Sequence, residues 1–90
     1  MYTVEFTNRA ERDLGKLPKQ TIAKILDKVD KLADDPRPSG YKKLTDFHVS
    51  NAPDELYRIR IGDYRVIYSI EDEIITITIV KVAHRKEVYE

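Results

Sequence analysis

Tyr2-Thr3-Val4-Glu5-Phe6 alternates apolar and polar residues, a period of two that predicts a short strand with Tyr2, Val4 and Phe6 turned inward. Thr7-Asn8 then offers an N-cap, and Asn8 followed by Glu11 resembles a capping box, so a short helix is predicted over about residues 8–16. Pro18 suits the first position of a second helix. There Ile22, Ile25, Leu26, Val29, Leu32 and Ala33 recur at helical spacing while Lys24, Asp27, Lys28, Asp30 and Lys31 fill the other face. Asp34-Asp35-Pro36-Arg37-Pro38-Ser39-Gly40 ends that helix, because two prolines and a glycine forbid its continuation. The pair is expected to form an antiparallel helical hairpin.

Residues 40–55 show no period, and Leu44, Phe47 and Val49 are their predicted anchors; His48 reads as a loop residue. Three strand signals follow, Leu56–Ile61, Tyr64–Ile70 and Ile74–Val82. Gly62-Asp63 reads as a two-residue hairpin turn, which sets Ile61 opposite Tyr64, Arg60 opposite Arg65, Ile59 opposite Val66 and Tyr57 opposite Tyr68. If Asp72-Glu73 is a second such turn, Ile70 faces Ile75, Tyr68 faces Ile77 and Val66 faces Ile79. One sheet face then carries a continuous apolar surface from Tyr57 to Ile79, including Ile75. The helices must cover it. The predicted fold is α+β, a single domain over residues 1–90 with helices on one face of an antiparallel sheet.

The other face breaks a local rule. Arg60 and Arg65 stand directly opposite each other, with Arg58 beside them and no carboxylate alternating onto that face within the strands. Like charges so placed are destabilising. Arginines lying flat over exposed sheet, shielding it with their stems, are one reading; an anion site is the other, since guanidinium forks match phosphate oxygens. The segment Lys81–Glu90 adds Arg85 and two proton-transfer candidates, His84 and Tyr89, and strand order sets it beside the arginine hairpin.

Composition narrows the chemistry. Sixteen basic residues balance sixteen acidic ones, so only the placement of charge can select a partner. There is no Cys, which removes disulfides and thiolate chemistry and fits a reducing compartment. With His48 and His84 as the only histidines, a structural zinc site is close to excluded, and no metal or other cofactor is expected. The chain shows neither a membrane-length apolar run nor a secretory leader, and a cytoplasmic location is expected. Arginines can stabilise the extra charge of a phosphorane without metal. RNA brings its own nucleophile, the 2′-hydroxyl, so the protein need only assist proton transfer.

Tyr57-Arg-Ile-Arg-Ile-Gly-Asp-Tyr-Arg-Val-Ile-Tyr68 followed by Val82-Ala-His-Arg-Lys-Glu-Val-Tyr89 resembles the RelE/ParE superfamily of bacterial and archaeal toxins. Val4-Glu5-Phe6-Thr7, the paired helices, Asp35-Pro36-Arg37 and Lys42-Lys43-Leu44 fit the same pattern, so the resemblance spans essentially the whole chain. It implies a RelE-like fold: an N-terminal strand, two helices, then a three-stranded meander. In the RelE branch it implies a toxin that cleaves mRNA in the ribosomal A site. Arg58 and Arg60 then hold RNA phosphates, Arg65 and Arg85 stabilise the phosphorane, and Tyr89 or His84 assists removal of the 2′-proton. Lys42 and Lys43 are weaker candidates for RNA contacts. In the ParE branch it implies a gyrase inhibitor that cuts nothing; a third reading is a non-catalytic RNA-binding module. The implied partners are the ribosome, mRNA and a RelB-like antitoxin, with operator DNA bound only through the toxin–antitoxin complex. The antitoxin is expected to cover the Arg58/Arg60/Arg65 face rather than displace a long terminal helix, since the sequence stops one residue after Tyr89.

Overall fold

The computed structural model describes residues 1–88. The elements are β1 (Thr3–Phe6), α1 (Asn8–Gly15), α2 (Lys19–Asp34), β2 (Lys42–Leu44), β3 (Leu56–Ile61), β4 (Tyr64–Glu71) and β5 (Thr76–His84), with 3₁₀ turns at Asp72–Ile74 and Arg85–Glu87. They form one five-stranded sheet in the order β1-β5-β4-β3-β2, in which β1 runs parallel to β5 and the other pairs are antiparallel. The expected meander is thus extended at both edges. The Lys42-Lys43-Leu44 segment supplies β2, a strand with too few residues to show a period.

Thr7, rather than Asn8, caps α1: its hydroxyl accepts the Ala10 N–H at 3.1 Å. α1 then lies along the part of β5 that β1 leaves unpaired. There Asp13 Oδ2 accepts the Val82 N–H at 3.0 Å and the Thr7 hydroxyl donates to the Val80 carbonyl at 3.2 Å. Exposed edge groups are thereby satisfied, as a sheet edge requires. α2 turns Ile25, Val29 and Leu32 onto the sheet, where they bury against Ile59, Ile61, Val66, Tyr68, Ile77, Ile79 and Val82. Tyr2, Val4 and Phe6 pack at the margin of this core, on the side that the period of two assigns them.

The β3–β4 register is the one the Gly62-Asp63 turn dictates, with Ile61 opposite Tyr64, Arg60 opposite Arg65 and Tyr57 opposite Tyr68. Gly62 adopts φ 59°, which a glycine accepts without strain. The β4–β5 register differs from the expectation. Ile70 pairs with Ile77 and Tyr68 with Ile79, a slip of two residues, because Asp72–Ile74 coils into a 3₁₀ turn and Ile75 takes φ 49° in the left-handed region. Ile75 is consequently half exposed instead of lying on the apolar face. A β-bulge opposite Ile67 and Tyr68 adds one more residue, so Val66 meets Val82 rather than Ile79.

The second face is covered too. Leu44, Val49, Leu56, Ile67, Val80, Ala83 and Val88 form a second buried cluster, with Phe47 and Ala52 packed on it. The three anchors expected in residues 40–55 therefore hold that irregular segment down, and it turns at Asp46 and Asn51, both at positive φ. No helix among the described residues is long and apolar enough to cross a membrane.

Candidate functional site

Alternation along β2, β3 and β4 sets Lys42, Arg58, Arg60 and Arg65 on one face of the sheet: Lys42 is opposite Arg58, and Arg60 is opposite Arg65. Lys43 pairs with Tyr57 on the other face and lies 3.6 Å from Glu55, an exposed ion pair, so it is separated from the arginines.

The arginines do not lie flat on open sheet. Arg58 is 4% exposed and Arg65 9%, on the face that also carries the Leu44, Val49, Leu56, Ile67 and Val88 cluster, whereas Arg60 is exposed. Burial of a guanidinium is costly unless its N–H groups are bonded. Arg58 Nη1 donates to the Gly40 carbonyl at 2.8 Å, and Gly40, at φ 89°, ends the turn after α2. Arg65 Nη1 donates to the carbonyls of Gly62 and Tyr64 at 3.1 and 3.0 Å. One member of the opposed pair is drawn onto turn carbonyls and the other is exposed.

The same turn gathers Arg85. Its backbone N–H donates to the Asp63 carbonyl at 2.7 Å, and its exposed side chain approaches the Asp63 carboxylate at 3.7 Å. Three successive carbonyls, of Gly62, Asp63 and Tyr64, thus fix Arg65 and the start of the C-terminal segment at one end of the sheet. The sequence signalled the turn, but not that its carbonyls act as the clamp.

His84 goes elsewhere. It pairs with Tyr64, and its ring packs edge-on against the Tyr64 ring at 5.6 Å and 78°, on the helix side of the sheet. The bulge in β5 is the reason: the added residue reverses the alternation beyond it, and His84 leaves the arginine face. Tyr89, the other proton-transfer candidate, lies outside the described residues. Among the described residues no three metal-ligating side chains of His, Cys, Asp or Glu come together.

Resolved pKa shifts lie away from this cluster. Bidentate contact with Arg37 and the Tyr2 hydroxyl at 2.6 Å lower the Asp72 carboxyl, and the same bond to Asp72 raises the Tyr2 phenol against the pull of Arg37. This network ties β1 and the end of α2 to the β4–β5 turn. Burial raises the phenol of Tyr68, which donates to the Pro36 carbonyl at 2.8 Å. Tyr68 also closes a row of rings with Tyr57 and Tyr41, 6.0 and 5.8 Å apart in turn.

The sequence profile described as the ParE toxin of the type II toxin–antitoxin system parDE matches residues 4–89. Toxin RelG of Mycobacterium tuberculosis is 34% identical over 89 residues, covering 98% of this chain and 95% of its own length. Putative toxin RelE1 of Methanocaldococcus jannaschii is 33% identical over 91 residues, with coverages of 99% and 96%. Among solved structures, the archaeal RelE–RelB complex from Pyrococcus horikoshii OT3 contains a chain that superposes with a TM-score of 0.78 at 32% identity, covering 97% of this chain and 98% of that one. A chain of the toxin–antitoxin complex RelBE2 from Mycobacterium tuberculosis gives 0.74 at 36% identity, with coverages of 93% and 98%.

Proposed function

The chain belongs to the RelE/ParE superfamily of type II toxins, in its RelE-like branch, and from that premise we propose that it is a ribosome-dependent endoribonuclease that cleaves mRNA in the A site. The observation that carries the proposal is the convergence of Arg65 and Arg85 on the Gly62–Tyr64 turn, with exposed Arg60 directly opposite Arg65. Phosphate oxygens meeting such a cluster find charge held in place, which is what stabilising a phosphorane requires.

The reaction is a transesterification. The mRNA 2′-oxygen forms a bond to its adjacent phosphorus and loses its proton, while the bond to the 5′-oxygen breaks and that oxygen takes a proton. The products are a 2′,3′-cyclic phosphate and a 5′-hydroxyl, with no water or cofactor consumed. Arg65 and Arg85 offset the phosphorane charge. Arg60 and Lys42, both exposed, hold neighbouring phosphates, and buried Arg58 fixes the face from beneath through Gly40. Tyr89 is the assigned proton-transfer group. Mature mRNA and ribosomes place this activity in the cytoplasm. The partner is a RelB-type antitoxin, as in the complexes of the similar archaeal and mycobacterial chains. It covers the exposed cations Lys42, Arg60 and Arg85, and operator DNA is reached only through that complex.

Primer extension on programmed ribosomes tests this. Wild-type protein is expected to cut within the A-site codon, and Arg85→Ala, which removes an exposed side chain, to slow the cut by about 10²–10³-fold, the scale of losing a charge-stabilising donor. Full activity of a folded Arg85→Ala variant overturns the site. The matching profile also carries the ParE description, which favours gyrase as a second reading. Inhibition of supercoiling by protein that leaves mRNA intact would select it.

A further inference from the structure

The C-terminal 3₁₀ turn begins at His84, and its first hydrogen bonds restrict what the imidazole can do. His84 Nδ1 accepts the N–H of Lys86 at 3.2 Å, while Glu87 Oε1 accepts the N–H of His84 at 3.2 Å. This is a reciprocal capping box with histidine in the place usually held by serine or threonine. A ring nitrogen that accepts from a backbone amide carries no hydrogen, so the hydrogen of the neutral ring sits on Nε2. Neither nitrogen then offers a lone pair to a substrate proton. The ring also faces Tyr64 and a cleft of about 580 Å³ that it shares with Arg9, Arg12, Asp13 and Lys16, across the sheet from Arg65.

We infer that His84 is a positioning residue and not the proton-transfer group. Its imidazole caps the turn that holds Arg85 against the Asp63 carbonyl. The link to catalysis rests on the ribonuclease reading above; the cap itself does not. The contact from Nδ1 to the amide two residues on reproduces an Asx-turn, in which asparagine offers its side-chain oxygen to the same N–H. Glutamine carries its polar group farther out, nearer the position of Nε2.

Three substitutions separate the roles. His84→Asn is expected to cleave mRNA within about threefold of wild type with an unchanged pH–rate profile. His84→Gln and His84→Ala are expected to fall by about tenfold, the scale of a lost cap. If Asn is as slow as Ala, or removes an ionisation from the pH–rate profile, His84 is the proton-transfer group and the inference is overturned. A second readout is independent of cleavage. Nitrogen NMR of wild-type protein is expected to show the Nε2–H tautomer, and the Lys86 amide to exchange slowly in wild type and Asn but rapidly in Ala. Equal Lys86 exchange in wild type and Ala overturns the cap whatever the activity. The expected NMR pattern in a protein that cuts no mRNA leaves the cap standing and overturns the ribonuclease reading.

Discussion

Both faces of the sheet carry a buried cluster, but by different means and with different contents. On one, α1 and α2 bring Ala10, Ile25, Val29 and Leu32 onto Ile59, Val66, Tyr68, Ile77 and Ile79, with no charged side chain among the buried residues. On the other, an irregular segment pinned by Val49 and Phe47 packs with Leu56, Ile67 and Val80, and Arg58 and Arg65 are buried on the same face. The first face uses periodic apolar patterning, whose gain scales with the area removed from water. The second gives up part of that gain to hold guanidinium groups against carbonyls of Gly40, Gly62 and Tyr64. The contrast separates the part of the molecule that holds the fold from the part that holds fixed positive charge.

The sharpest challenge to this division is to remove a side chain from each cover. Ile25→Ala, at a fully buried helix position, should destabilise the protein by about 3 kcal/mol in urea, within the usual range for such truncations. Val49→Ala, at the loop, should cost about 1–2 kcal/mol. Equal losses would break the comparison. Arg60→Ala should then show the reverse pairing of effects. Its side chain is exposed, so its removal should cost less stability than Ile25→Ala, yet should slow A-site cleavage by about tenfold or more.

Titration sharpens the same contrast. The buried phenol of Tyr68 has its pKa raised, so at high pH the unfolded chain ionises first, near the ordinary tyrosine value of about 10. Stability from this group is complete below that pH and falls as pH rises beyond it. Alkaline unfolding followed by circular dichroism should therefore be shallower in Tyr68→Phe. The smallest effect is expected at the exposed Arg37–Asp72 contact. Asp72 has its pKa lowered, so its contribution is present above the ordinary carboxyl value of about 4 and is lost as pH falls through the lower folded value. Asp72→Asn should lower stability slightly near neutrality, and the difference should vanish in acid.

How far the sequence reveals the molecule follows the same line. The helix face is legible because its residues repeat with periods of 3.6 and two, and because Gly62-Asp63 admits one register. The next turn is not, since a β-branched Ile75 at positive φ violates the residue preferences that sequence reading relies on. That slip, being of two residues, keeps every side chain on its face; the one-residue bulge in β5 is what turns His84 to the helix side. The arginine cluster is legible by alternation, from Arg58 through Arg60 to Arg65. The burial of Arg58 and Arg65 is not, because the carbonyls that hold them leave no mark in residue identity.

The reaction itself can be tested by replacing one atom. An mRNA carrying a single 2′-deoxynucleotide at the cleaved position of the A-site codon is presented on programmed ribosomes beside its all-ribose counterpart. The account predicts a cut, ending in a 2′,3′-cyclic phosphate, in the all-ribose message, and none at the deoxy position. A cut of equal rate at the deoxy nucleotide would contradict attack by the 2′-hydroxyl, and with it the role given to the arginine face.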